Sequence, residues 1–124
     1  MSNTIKFAVV GAGHIGKRHA EMIQRENEAE LVALVDCRSQ QDCEAERFDV
    51  PFFSSIETLL ESDLDIDVVN ICTPNGLHAS QSLKALAYKK HVVCEKPMGL
   101  SKDNCEQIIF KALQVSRQVF CVMQ

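Results

Sequence analysis

Ile5-Lys6-Phe7-Ala8-Val9-Val10-Gly11-Ala12-Gly13-His14-Ile15-Gly16 lies at the very start of the chain, and its reading decides the fold. Ile5–Val10 is a short apolar β run, and three glycines follow it in the spacing G-x-G-x-x-G. From about His14 to Asn27, Ile15, His19, Met22 and Ile23 recur at i, i+4, i+7 and i+8, the spacing of one helical face. A lone G-x-G-x-x-G also occurs in ordinary surface turns. Here it leaves a strand and opens a helix, the context that gives each glycine a physical task. Gly11 allows the tight turn, Gly13 lets a ligand come close to the backbone, and Gly16 lets the helix pack close to the strand. The free N–H groups of the first helical turn and the helix dipole then favour a pyrophosphate without any lysine. Gly11, Gly13, His14, Ile15 and Gly16 are therefore candidate dinucleotide contacts.

The next strand supports the same reading. Glu30–Asp36 is almost continuously apolar before its last residue, as expected of a strand buried on both faces of a parallel sheet. Asp36 ends it, twenty residues after Gly16, where a carboxylate accepts hydrogen bonds from the adenosine ribose hydroxyls. The same charge repels a 2′-phosphate, so NAD is expected over NADP. Arg38 can stack on adenine or offset that repulsion, which leaves NADP possible.

Beyond Asp36 the alternation continues. Residues 38–48 are polar and read as a short helix or irregular chain, and Pro51–Phe53 as a short third strand. Ser54 and Glu57 form a capping-box signal before a helical face of Ile56, Leu59 and Leu60. Asp67–Cys72 is a fourth strand, broken by Thr73-Pro74-Asn75-Gly76. A helix from about Leu77 to Lys89 has Ala79, Leu83, Leu86 and Ala87 inward. His91–Glu95 is a fifth strand, and Ser101 caps a helix carrying Cys105, Ile108, Ile109, Ala112 and Leu113. Val119–Met123 is a sixth strand. About six strands separated by helices predict an α/β fold with a doubly wound parallel sheet, because parallel strands need right-handed crossovers.

Composition narrows the function classes. The 124 residues suit one domain, taken as 1–124, and 46% hydrophobic with 24% charged residues is ordinary for a globular domain. The net charge is −4 and the Lys and Arg residues are scattered, so no nucleic-acid or anionic-membrane footprint is present. No apolar run approaches the ~20 residues of a membrane span, and the start lacks the features of a signal peptide. A cytoplasmic location is expected. The six cysteines contain no C-x-x-C pair. Cys72, Cys94 and Cys121 fall in apolar strand runs, where a thiol behaves as a small hydrophobe, so reduced structural cysteines and no metal site are expected.

Ligands of open α/β sheets bind at the carboxyl ends of the strands. Two unusual segments fall there: Thr73-Pro74-Asn75-Gly76-Leu77-His78 after strand four, and Glu95-Lys96-Pro97 after strand five. Together with Gly11-Ala12-Gly13-His14-Ile15-Gly16-Lys17-Arg18-His19-Ala20, they resemble the Gfo/Idh/MocA oxidoreductases, over nearly the whole chain but only the N-terminal half of that family. The resemblance implies a Rossmann fold and an NAD(P)-dependent sugar or polyol dehydrogenase. It makes Lys96 the catalytic candidate beside the nicotinamide. It makes Thr73, Pro74, Asn75, His78, Glu95, Lys96 and Pro97 candidates for the cofactor site.

The chemistry is coherent without the family. Oxidising a secondary alcohol moves a hydride to nicotinamide and a proton to a base. A lysine beside the hydroxyl stabilises developing alkoxide and tunes the base. Pro97 restricts Lys96 to extended backbone. By position alone, Lys96 reads first as a solvated lysine after a strand, and the resemblance reverses that reading. His78 can instead satisfy local backbone groups. His14, His19 and His91 read as packing, capping or structural residues rather than acid–base groups.

Two departures from the family pattern stand out. Lys89 occupies a position that is commonly glycine. The family's general acid/base, usually a histidine, belongs to a C-terminal domain absent from these residues. The chain alone is therefore expected to bind cofactor weakly and not to turn over, and the full enzyme to form a homo-oligomer. The implied substrate is a sugar, polyol or nucleotide sugar. The alternative is a non-enzymatic NAD-binding redox sensor or regulatory module, which needs the glycine loop and Asp36 but not Glu95-Lys96-Pro97.

Overall fold

The six apolar runs do form strands. In a computed structural model describing residues 4–95 and 102–122, they are β1 (Ile5–Val10), β2 (Ala29–Val35), β3 (Phe52–Phe53), β4 (Val68–Ile71), β5 (His91–Glu95) and β6 (Val119–Val122). All pairings are parallel, in the order β3-β2-β1-β4-β5-β6. The chain winds outward from β1 in both directions, which is the doubly wound Rossmann arrangement with its switch point at β1. Val10 lies level with Val35 on one side and Ile71 on the other. Gly11, Asp36 and Cys72 therefore leave the sheet together at its carboxyl edge.

The helices are α1 (His14–Arg25), α2 (Ile56–Leu60), α3 (His78–Ala87) and α4 (Lys102–Val115). Alternate strand residues face opposite sides, so the core has two layers. On one, Val9, Leu31 and Leu34 pack with Ala20 and Ile23 of α1 and with Cys43, Ala45 and Phe48 of the β2–β3 connection. On the other, Ala8, Val10, Val69, Ile71, Val92 and Cys94 pack with α2, α3 and α4. Each fully buried Leu, Ile or Val removes apolar surface worth about 1.5–3 kcal/mol from water. The β2–β3 connection is irregular apart from a 3₁₀ turn at Glu46–Phe48. Lys17 Nζ donates to the Cys43 carbonyl at 2.7 Å and Gln24 Nε2 to that of Phe48 at 3.0 Å, fastening it to α1.

Several helix faces differ from the sequence reading. On α1 the buried stripe is Gly16, Ala20 and Ile23, while Met22 is 65% exposed. The face is rotated because α1 approaches the sheet through its smallest side chains, which only close packing at the turn requires. The cap of α2 is Ser55, not Ser54. Ser55 Oγ accepts from Thr58 N–H at 3.1 Å and Thr58 Oγ1 accepts from Ser55 N–H at 3.3 Å, while Glu57 turns instead to Lys84. Adjacent serines offer the same hydroxyl, and the extended backbone of Ser55 decides between them. On α3 the fully buried residues are His78, Ser82, Ala85 and Leu86, with Ala79 and Leu83 half-buried on the core and Ala87 exposed. On α4 only Ile108 and Ala112 are buried. Ile109 and Leu113, apolar at helical spacing, are 51% and 75% exposed, because the helix touches the layer below along one narrow stripe.

Lys89 takes the left-handed conformation that favours glycine, with φ 64°, just past the end of α3. A side chain there costs about 1 kcal/mol relative to glycine. Its carbonyl accepts from Arg117 Nε at 2.6 Å, which ties the turn to the start of β6.

Candidate functional site

A groove of about 700 Å³ opens at the carboxyl edge of β1, β2 and β4. The glycine turn forms its floor. Gly11 has φ 100° and donates its N–H to the Val35 carbonyl at 2.7 Å, which locks the turn to β2. A Cβ on Gly11 would lie 2.8 Å from the Cys72 backbone, so the turn is also pressed against the end of β4. Gly16 is packed more tightly: its Cβ would stand 1.7 Å from the Gly11 carbonyl oxygen. Gly13 is the reverse case. At φ −80° it is the N-terminal residue of α1, and a Cβ there would meet nothing closer than Arg38 Nη2 at 3.8 Å. Gly11 and Gly16 thus shape the turn, while Gly13 leaves bare backbone facing the groove. That is the cradle a pyrophosphate needs at a helix N-terminus.

Asp36 stands beside this floor. Its Oδ2 accepts from Ala12 N–H at 2.8 Å, and its Oδ1 from the backbone N–H of Arg38 at 2.9 Å. The Arg38 guanidinium binds both oxygens, at 3.0 and 3.1 Å. Burial pushes the Asp36 carboxyl up, but these hydrogen bonds and the arginine charge outweigh it and hold the group well below the usual carboxylate range. The same pairing raises Arg38.

The opposite wall comes from the end of β4 and from α3. Thr73 and Pro74 line the groove, followed by Leu77 just before α3 and by Ser80, Gln81 and Lys84 on one face of α3. Thr73 Oγ1 donates to Gln81 Oε1. His78 is buried beneath the loop rather than lining the groove, with ring Nε2 2.6 Å from the Thr73 carbonyl oxygen. It satisfies local backbone, one of its two sequence readings. Ser54, Ser55, Ile56 and Glu57 at the start of α2 complete the outer end, where Lys84 pairs with Glu57.

Of the residues predicted from sequence, Gly11, Gly13, His14, Ile15, Asp36, Arg38, Thr73 and Pro74 meet around one groove. Gly16 supports it from below. Glu95 ends β5, and no side-chain position is described for it or for Asn75. Lys96 and Pro97 lie outside the described residues. Sequence reasoning missed Cys37, Gln81, Lys84 and the Ser54–Glu57 turn. The i, i+3, i+4, i+7 spacing of Leu77, Ser80, Gln81 and Lys84 was the available signal, but a polar stripe on a helix reads first as a solvated face. Among the described residues, Cys37, Cys43, Cys72, Cys94 and Cys105 take part in no disulfide, and Cys94 sits in the core.

Folding lowers the Asp36 carboxyl below its ordinary value of 3.8. The stability it contributes is complete above that value and is lost as pH falls towards the lower folded-state value. Asp36→Asn is expected to cost about 1–2 kcal/mol at neutral pH. Its urea midpoint should trail the wild type by a constant margin from about pH 7 to 5, and the margin should shrink below about pH 4. A margin unchanged at about pH 2.5 would show that the carboxylate is not held in this way.

The comparisons with known proteins agree with this geometry. Residues 5–122 match the family GFO_IDH_MocA, described as an oxidoreductase family with an NAD-binding Rossmann fold. An uncharacterised oxidoreductase of Streptococcus pneumoniae is 35% identical over 105 residues, covering 85% of this chain and 28% of the relative. Inositol 2-dehydrogenase of Rhizobium meliloti is 34% identical over 102 residues, covering 81% of this chain and 30% of the relative. The crystal structure of the WlbA dehydrogenase from Chromobacterium violaceum, in complex with NADH and UDP-GlcNAcA, superposes with a TM-score of 0.90 at 29% identity, covering 97% of this chain and 35% of that one. The chain thus spans about a third or less of the length of these relatives. No helix among the described residues is long and apolar enough to cross a membrane. The glycine turn, the buried carboxylate beside it and the matched residues lead to one conclusion: this chain belongs to the GFO_IDH_MocA oxidoreductase family and is its NAD-binding Rossmann domain.

Proposed function

We propose that this chain is the cofactor half of an NAD-dependent dehydrogenase acting on a hydroxyl of a sugar, polyol or nucleotide sugar, working with a separate substrate domain. The observation that carries the proposal is the pairing of bare backbone at Gly13 with a held carboxylate at Asp36 across one groove. Gly13 and the first-turn N–H groups hold the pyrophosphate, and Asp36 accepts from the ribose hydroxyls. Thr73 and Pro74 form the wall on the side of β4, with Asn75 and Glu95 as further contacts. Bound NAD supplies the hydride acceptor. Lys96, with Pro97 restricting its backbone, hydrogen-bonds the substrate hydroxyl and stabilises the alkoxide as its proton leaves to a base in the substrate domain. The substrate class rests on similarity to an inositol 2-dehydrogenase and to a dehydrogenase in complex with UDP-GlcNAcA. These relatives do not favour the sensor reading.

Fluorescence titration should show saturable NADH binding, with NADPH at least about tenfold weaker because its 2′-phosphate meets Asp36. Equal affinities would overturn the role of Asp36. With the substrate domain present, Lys96→Ala should lower kcat by about 10²–10³ while leaving NADH affinity unchanged. Normal turnover of that variant would remove Lys96 from the chemistry.

A further inference from the structure

The two faces of the sheet are not equally covered. An all-parallel sheet is ordinarily buried on both sides. Here α2, α3 and α4 pack on one face as far as β5 and β6. The layer on the other face holds α1 and the β2–β3 connection, and among the described residues it includes none from β5 or β6. Val9 pairs with Asn70, Asn70 with Val93 and Val93 with Phe120, one row across the face on which α1 lies. Val9 is fully buried, Val93 half-buried and Phe120 55% exposed, so the cover thins along the row. With Phe7 and Val68 of the next row, Val93 and Phe120 line a trough of about 710 Å³. Two further features lie on its border. The flank of α1 that carries His19 faces β4, where ring Nδ1 stands 3.0 Å from Asn70 Nδ2. Met22 follows His19 by one turn on that flank, apolar and exposed. Asn70 itself is only 5% exposed, yet its Oδ1 has no hydrogen-bond partner among the described residues.

We infer that this bare half-face is the docking surface of the substrate domain, which lays one amphipathic helix over β4, β5 and β6 beside α1 and sets a donor side chain against Asn70 Oδ1. From β4 to β6 is two strand spacings, about 10 Å, the width of a single helix. The apolar face of that helix covers Val68, Val93 and Phe120, and its edge meets Met22. The stripe of Ile15, His19, Met22 and Ile23, which by its spacing is an inward face, is then closed on its open side. The buried acceptor gains the donor that burial demands. A second copy of this chain would bring the same unpaired acceptor and no donor. This chain covers 28% and 35% of two relatives, so the greater part of their length lies outside it and can supply the helix. Docking there fixes the substrate domain to β4 and β5, the strands whose carboxyl ends carry Thr73 and Glu95. The inference rests on the proposed function only in taking a substrate domain as the partner.

The test is maleimide labelling, resolved by peptide mass mapping, of the chain alone and of the chain joined to its substrate domain, both without cofactor. Phe120→Cys and Met22→Cys place thiols in the trough and on its border. The native Cys37, exposed just after β2, is the internal reference. In the chain alone both new thiols should label within about threefold of Cys37, since all three are open to solvent. With the substrate domain present both should label at least about tenfold more slowly than Cys37, because an interface core is closed to water. Adding Asn70→Leu should speed that slow labelling about fivefold, the effect of one lost hydrogen bond. Thermal unfolding of the chain alone checks that each variant folds. Equal labelling with and without the substrate domain, or a rate unmoved by Asn70→Leu, would overturn the inference. Slow labelling of the chain alone that quickens on dilution would overturn it in favour of a second copy. Loss of NADH binding in a protein that keeps the protection would overturn the cofactor reading and leave this inference standing.

Discussion

Gly13→Ala should leave the fold intact and weaken NADH binding about a hundredfold. The position tolerates alanine: its φ is −80°, and an added Cβ reaches no atom nearer than 3.8 Å. Stability should change by less than about 1 kcal/mol, because the lower entropy of the unfolded chain offsets a poorer helix cap. The methyl group would instead project into the groove. A pyrophosphate must come within hydrogen-bonding distance of the first-turn N–H groups, and each bond to such a charged group contributes about 1.5–3 kcal/mol. Losing one or two of these bonds accounts for the expected factor. Circular dichroism melting beside NADH titration checks both halves of the statement. NADH affinity within about threefold of wild type would mean that the dinucleotide does not approach this turn.

Gly16→Ala, three residues along, should do the opposite and destabilise the fold. The new Cβ would stand 1.7 Å from the Gly11 carbonyl oxygen and 2.8 Å from its carbon. Both are backbone atoms in a turn fixed by the Gly11-to-Val35 hydrogen bond, so no side chain can move aside. Relief requires α1 to lift from β1, opening the layer in which Ala20 and Ile23 are buried. Overpacking of this kind costs about 3 kcal/mol or more, a large part of the 5–15 kcal/mol of a typical domain. For a domain of this size the melting temperature should fall by about 10 °C or more. A fall below about 3 °C would show that the helix is not seated this closely.

These two glycines show how much was legible beforehand. Both stand in one motif, and the sequence assigned them different tasks, Gly13 to ligand approach and Gly16 to packing; the space around each fits that division, open at Gly13 and closed by backbone at Gly16. The strands were legible as well, since runs such as Leu31–Val35 are apolar enough to be buried on either face. Helix faces were less so. Met22, Ile109 and Leu113 are apolar and correctly spaced, yet exposed, because a side chain's period states which residues share a face but not how the helix rolls on its sheet. The capping box slipped by one residue for a related reason: Ser54 and Ser55 are chemically equivalent, and backbone conformation chose between them.

The chain by itself determined the doubly wound sheet, the glycine turn and the acidic residue at the end of β2, because each depends on local periodicity or on one residue's backbone freedom. Tertiary structure alone decided the company that Asp36 keeps. The parallel register that brings Gly11, Asp36 and Cys72 to one edge places Ala12 N–H on one carboxylate oxygen and lets the Arg38 guanidinium span both. It also brings Thr73, Gln81 and Lys84, far along the chain, to the facing wall. Apart from the local Asp36–Arg38 pair, these contacts join residues from separate crossovers, and no pattern within either segment encodes the distance between them.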